Sequence, residues 1–206
     1  MCWLILFSLI ECNPKGERRM ERSEMKLDNI CPSGTNCPSQ EKCFELLADY
    51  GTPPHVIRHC LAVAETALRI GKALNEHGYS LDLSLLGSAA LLHDIARVEE
   101  NHAQRGAEIA EQLGYSEIAD LIRCHMTYST ELTQQNISEK DILCLSDRMV
   151  KENVYVGIEE RMQYILEKFK NDPAATERIT RRLDEIRWLS KKIEATVGVS
   201  IDELMT

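Results

Sequence analysis

No run of about 20 apolar residues, the length a helix needs to cross a bilayer, occurs in the 206-residue chain, so no membrane-spanning helix is expected. A broad basic face is missing too. Against 33 Asp and Glu stand 24 Lys and Arg, a formal net charge of −9, which argues against extended contact with a nucleic-acid backbone and leaves room for a small anionic substrate. There is no glycine-rich nucleotide-binding loop, no internal repeat and no convincing strand run. Met1 to Ile10 is apolar but lacks the basic leader and small-residue cleavage site of a secretory signal. The cysteines form no CxxC pair. Cys31, Cys37 and Cys43 are evenly spaced but have no nearby fourth ligand, so loop thiols are expected rather than a zinc or iron–sulfur site. Cys60, Cys124 and Cys144 lie in apolar helical runs, where a free cysteine behaves as a small hydrophobe, and a reducing cytoplasm suits them.

What is present is helical period. With 44% hydrophobic residues the chain can bury one sizeable core. Ser39 caps a short helix to Tyr50, which Gly51 ends. Thr52-Pro53-Pro54 opens the first long helix, since proline suits the first turn, and Val56, Cys60, Val63, Ala64, Ala67, Leu68, Gly71 and Leu74 form its core face. His77-Gly78 ends it. A second helix follows the polar turn at Ser80 and Asp82; a third runs from His102 to Gly114, with Gly106 allowing a close approach. Ser116 is expected to cap a fourth, with Ile118, Ala119, Ile122 and Met126 apolar. The polar stretch from Thr127 to Gln135 reads as a surface loop or a rim. Ser138 and Asp141 form a capping-box pattern for a helix with Ile142, Leu145, Met149 and Val150 inward. Two helices, about Ile158 to Lys170 and Pro173 to Val197, and a capping-box pattern at Ser200 and Glu203 complete the chain. The expected fold is all-α, a single bundle of about eight to nine helices. Residues 1–38 are expected to be a disordered extension, with Met20 or Met25 a candidate start. A central domain spans 39–156, and 157–206 is a helical extension packed on it.

Chemistry concentrates where a small apolar run, Ala89-Ala90-Leu91-Leu92, ends on His93-Asp94. Adjacent helix residues point about 100° apart, so both reach one ion only just off the helix surface. A bare carboxylate buried at the end of such a run costs several kcal/mol unless a cation or donors compensate it. Further candidate ligands are His59 on the first long helix, His102 opening its helix, His125 closing the next, and Asp147. His55 and His59 have the spacing of a zinc-protease histidine pair, but Val56 stands where that motif needs its glutamate. His55 is expected to support His59 or to lie at the core edge. Arg97, Arg148 and Lys151 are candidate phosphate contacts, Lys151 sharing the face of Asp147 at i+4.

Read in order, His59, His93-Asp94, His102, His125 and Asp147 resemble the HD-domain superfamily of metal-dependent phosphohydrolases, and the two extra histidines resemble its binuclear branch. Many members continue the pair as Ile-Gly-Lys, where this chain has Ile95-Ala96-Arg97. The resemblance implies hydrolysis of a phosphate ester or anhydride, with a nucleotide or dinucleotide the first choice of substrate. It also implies two ions about 3.5–4 Å apart that polarise the phosphoryl group and activate a water. In that scheme Asp94 bridges, His59, His93 and Asp147 complete one ion's ligands, and His102 and His125 serve the other. His93 and Asp94 are the catalytic pair. The mixed N/O donors suit Mn, Fe or Co. The expected partner is a small phosphorylated substrate, without nucleic acid or membrane, and with a homodimer open. A di-iron oxygenase on the same ligand set and a catalytically idle nucleotide sensor are the alternatives.

Overall fold

The computed structural model describes residues 36–126 and 136–206. The proposed N-terminal extension with Met20, Met25 and Cys31, and the stretch from Thr127 to Gln135, lie outside these. Among the described residues the chain forms nine helices and one two-stranded ladder. The helices are α1 (Gln40–Asp49), α2 (Pro54–Glu76), α3 (Leu83–Leu92), α4 (His102–Gln112), α5 (Ser116–Cys124), α6 (Glu139–Asp147), α7 (Gly157–Lys168), α8 (Pro173–Val197) and α9 (Ile201–Leu204). The strands are β1 (Val150–Lys151) and β2 (Val154–Tyr155). The fold is all-α in class.

α3 is the central element because it is apolar nearly all round, and a helix without a polar face must be enclosed. Leu86, Gly87, Ser88, Ala89, Ala90, Leu91 and Leu92 are all buried in it. The Asp82 carboxylate starts it by accepting the N–H groups of Ser84 and Leu85. α1, α2, α5 and α6 pack around it. Each fully buried leucine contributes about 1.5–3 kcal/mol, so the residues leading to His93 sit on the best-anchored part of the molecule. α4 and α5 form a helical hairpin turned at Gly114, whose φ is 88°. Their close packing needs Gly106: a Cβ there would lie 3.2 Å from Ile122 Cγ2 and 3.3 Å from Ile95 Cγ2. At the C-terminal end, α8 packs on α2, α6 and α7, and α9 packs on α2 and α8.

Three local expectations change. Tyr115, not Ser116, is the N-cap of α5, and no side chain caps it; Met126 falls beyond that helix and is exposed. α6 does not run on to Val150. It stops at Asp147 with Arg148 as C-cap, and the chain then turns back so that Val150 pairs with Tyr155 and Lys151 with Val154. A ladder of two residues per strand is too short to show a period of two in sequence. Its turn puts Glu152 in the left-handed region, φ 56°. Lys151 is therefore on a strand and has no i+4 relation to Asp147. Cys43 is buried with its Sγ 3.8 Å from the Pro38 carbonyl, and no cysteine joins a metal-capable group among the described residues. No helix among them is long and apolar enough to cross a membrane.

Candidate metal centre

His93 is the C-cap of α3, and the chain then winds through tight turns, Ile95 N–H to Leu92 O (3.0 Å) and Arg97 N–H to Asp94 O (2.9 Å). The Thr52 hydroxyl donates to the Ile95 carbonyl at 2.9 Å, tying this turn to the start of α2. α2 brings His59 alongside, α4 brings His102 from its first residue, α5 brings His125 as its C-cap, and α6 ends on Asp147.

The six candidate ligands come together as two groups, His59/His93/Asp147 and Asp94/His102/His125, each with its donor atoms within 4.8 Å of one another. In the first, Asp147 Oδ1 lies 3.1 Å from His59 Nε2 and 3.7 Å from His93 Nε2. In the second, Asp94 Oδ1 lies 3.4 Å from His102 Nε2 and 3.6 Å from His125 Nε2. The groups meet where Asp94 Oδ2 lies 3.8 Å from His93 Nε2. The imidazoles form a row, His59, His93, His125, His102, with centroids 5.5, 5.2 and 5.3 Å apart.

Three of these rings are held by main-chain carbonyls. Nδ1 lies 2.7 Å from Glu152 O for His59, 2.8 Å from Ala90 O for His93 and 2.7 Å from Ile122 O for His125. Since a carbonyl only accepts, Nδ1 carries the hydrogen, and in the neutral ring Nε2 is left as the donor atom aimed at the carboxylates. His93 Nε2 and Asp94 Oδ1 are buried without any hydrogen-bond partner. An unmatched buried polar atom costs about 1–3 kcal/mol, more if charged, and a divalent cation at these atoms removes that cost. The nitrogen and carboxylate donors match such an ion, so the residues fit one.

The electrostatics follow from burial against charge. Burial would raise Asp94, but the His93 and His125 imidazoles and Arg97 hold it down at about 2. Asp147 is likewise held well below the usual carboxylate range by His59 and His93 despite its burial. Burial lowers His93 and His102. For His59 and His125 burial opposes the proton, yet Asp147 and Asp94 respectively outweigh it and the pKa is raised. Both carboxylates are thus ionised at neutral pH, ready to bind a cation.

Of the expected phosphate contacts, Arg97 alone lies at the centre, its Nε 3.5 Å from Asp94 Oδ2 with the side chain 48% exposed. Arg148 is spent elsewhere, donating to Cys144 O at 2.6 Å and His125 O at 3.0 Å, so that it braces α5 against α6. Lys151 turns to Glu160 at 3.5 Å and to the Tyr164 ring at 4.7 Å. His55 is exposed; the support it was expected to give His59 comes from Glu152. That carbonyl was not legible, because any residue supplies a carbonyl and only the hairpin brings this one to α2. The Ala90 and Ile122 contacts are i−3 relations, readable from a histidine at a helix C-terminus.

An all-α protein whose buried His/Asp centre is able to hold a divalent metal is the class this arrangement defines. The chain belongs to the HD domain family, whose model matches residues 56–151 and so spans all six candidate ligands. That superfamily is in general one of metal-dependent phosphohydrolases. An uncharacterized protein of Methanocaldococcus jannaschii is 32% identical over 168 residues, 73% of this chain and 98% of that protein. A tRNA (cytidine(56)-2'-O)-methyltransferase of Thermoplasma volcanium is 25% identical over 181 residues, 81% of this chain and 50% of that protein, so the chain spans half of that relative's length. No solved structure matches the chain significantly.

Proposed function

We propose that the protein hydrolyses a phosphate ester or anhydride of a nucleotide or dinucleotide, using two divalent ions, Mn, Fe or Co. The observation that carries this reading is the pairing of two three-residue donor groups back to back, with the His93-Asp94 dipeptide supplying one member to each. Divalent ions held there supply Lewis acidity toward a phosphoryl oxygen and make a water more acidic. The chain's own residues do the rest. Asp94 and Asp147 balance the cationic charge, and the carbonyl-anchored imidazoles aim Nε2 without reorganisation. His93 and His125 are closed from solvent at 1%, whereas His59, His102, Asp147 and Arg97 are open at 14%, 14%, 19% and 48%. A substrate approaches over the most open side, that of Arg97, where the guanidinium can meet two phosphate oxygens with two parallel N–H groups. The choice of a nucleotide rests on the resemblance to the binuclear branch of the superfamily.

The test is metal analysis followed by a phosphate-release panel of nucleotides and dinucleotides, run in air and in an anaerobic chamber. Phosphate release at equal rates in both is the expected result. Turnover that stops without oxygen would move the protein to the di-iron oxygenases, and nucleotide binding without turnover would make it a sensor.

A further inference from the structure

Three of the four imidazoles at the centre are tied to carbonyls, and His102 is not. Its two ring nitrogens face Nη1 of Arg97 instead, 3.4 Å from Nδ1 and 3.2 Å from Nε2. Nε2 is also the atom that lies 3.4 Å from Asp94 Oδ1 and belongs to the Asp94/His102/His125 donor group. An Nη1 almost equidistant from both ring nitrogens sits over the ring and not in line with either lone pair, so the guanidinium acts on this group through its charge and the space it fills. The same guanidinium sets its Nε 3.5 Å from the other Asp94 oxygen, Oδ2. A permanent positive charge thus touches two of the three residues in this group. In the His59/His93/Asp147 group the nearby guanidinium, that of Arg148, acts on Asp147 by charge but is spent on the Cys144 and His125 carbonyls; its two rings are anchored at 2.7 and 2.8 Å, and its carboxylate already faces His59. The Arg97 main chain is fixed by its N–H bond to Asp94 O, while its side chain is half-exposed.

We propose that Arg97 competes with a cation for His102 and Asp94, so that the Asp94/His102/His125 group holds an exchangeable ion while the His59/His93/Asp147 group holds its ion tightly. This rests on the two-ion reading above. An ion that enters the second group turns the guanidinium toward solvent on the side from which substrate comes, so that loading this group also frees the arm that meets an anionic oxygen.

The experiment is a titration of chelator-treated protein with Mn²⁺, following free Mn²⁺ by its electron paramagnetic resonance signal, for the wild type, Arg97→Met and His102→Ala. Arg97→Met keeps most of the unbranched stem and removes the guanidinium with its charge and donors. The first dissociation constant should be unchanged and the second should fall by about tenfold, the scale of losing one partly screened like charge. A second constant that is equal or weaker in Arg97→Met, while His102→Ala abolishes the second ion, would overturn the competition and leave the two-ion centre standing. A wild-type isotherm retained in His102→Ala would overturn both, since no ion would then depend on that group.

Discussion

His59 Nδ1 lies 2.7 Å from the carbonyl oxygen of Glu152, 93 residues further along the chain. The contact joins the first long helix to the turn of a hairpin whose strands are two residues each. It sets which ring nitrogen of His59 carries the hydrogen and so leaves Nε2 to face Asp147 at 3.1 Å.

Because the contact is made by main chain, the identity of residue 152 matters through backbone shape alone. Glu152→Gly is compatible with the left-handed φ of 56° and should leave metal affinity unchanged. Glu152→Pro locks φ near −65°, moves the carbonyl and should weaken metal binding by about ten- to a hundredfold, as loss of an orienting partner does. Calorimetric metal titration of both variants checks this; equal affinities would remove the carbonyl from any positioning role.

Asp94→Asn nearly preserves shape and removes the charge of the Asp94/His102/His125 group, at a carboxylate that also lies 3.8 Å from His93 Nε2 of the other group. Metal content should fall, phosphate release should drop by about a hundredfold or more on the two-metal scheme, and the helical circular dichroism should persist. The carboxylate is buried, so relief of its desolvation offsets part of the lost metal stabilisation. An unfolded variant that still holds metal would mark the pair as a structural feature of α3.

Stabilisation by metal should grow with pH. In metal-free protein the raised His59 contributes stability that is full below 6.5 and is lost as pH rises through its raised folded pKa. The depressed Asp147 contributes stability that is full above 3.8 and is lost as pH falls toward its folded pKa. Metal needs the imidazoles neutral, so raising the pH removes the competing proton from His59 and His125. The rise in Tm on adding Mn²⁺ to chelator-treated protein should therefore be larger at about pH 8 than at about pH 6. A shift that does not depend on pH would mean that the ligands are not these histidines.

Gly106→Ala tests the α4 and α5 contact. Alanine favours helix over glycine by about 1 kcal/mol, but its Cβ would meet Ile122 and Ile95 at 3.2 and 3.3 Å, and overpacking of this kind costs about 1–3 kcal/mol. Thermal unfolding should show a lower Tm. Weaker metal binding should accompany it, because α4 carries His102 at its first residue. A higher Tm would show that α4 can recede without loss.

How much of this was readable in advance differs by element. α8 begins and ends where Pro173 and Val197 were expected, and both capping boxes form, because caps and the 3.6-residue period act within a few residues. His93-Asp94 stood out for a local reason as well: a carboxylate at the end of an enclosed apolar helix needs compensation wherever that helix lies. The hairpin after Asp147 was invisible, since two residues per strand carry no period, and with it went the true partner of His59 and the direction of Lys151.

The sequence by itself determined the helices, the central place of α3 and the residue types able to hold a cation, all of which follow from local spacing and from the cost of burying charge. Tertiary structure decided the rest: that Asp147 meets His59 across 88 residues, that Arg148 braces the His125 main chain, and that the Arg97 guanidinium lies against the His102 ring. These depend on how separate helices cross and where one short turn places a carbonyl, and such relations between distant segments leave no periodic trace in the order of residues.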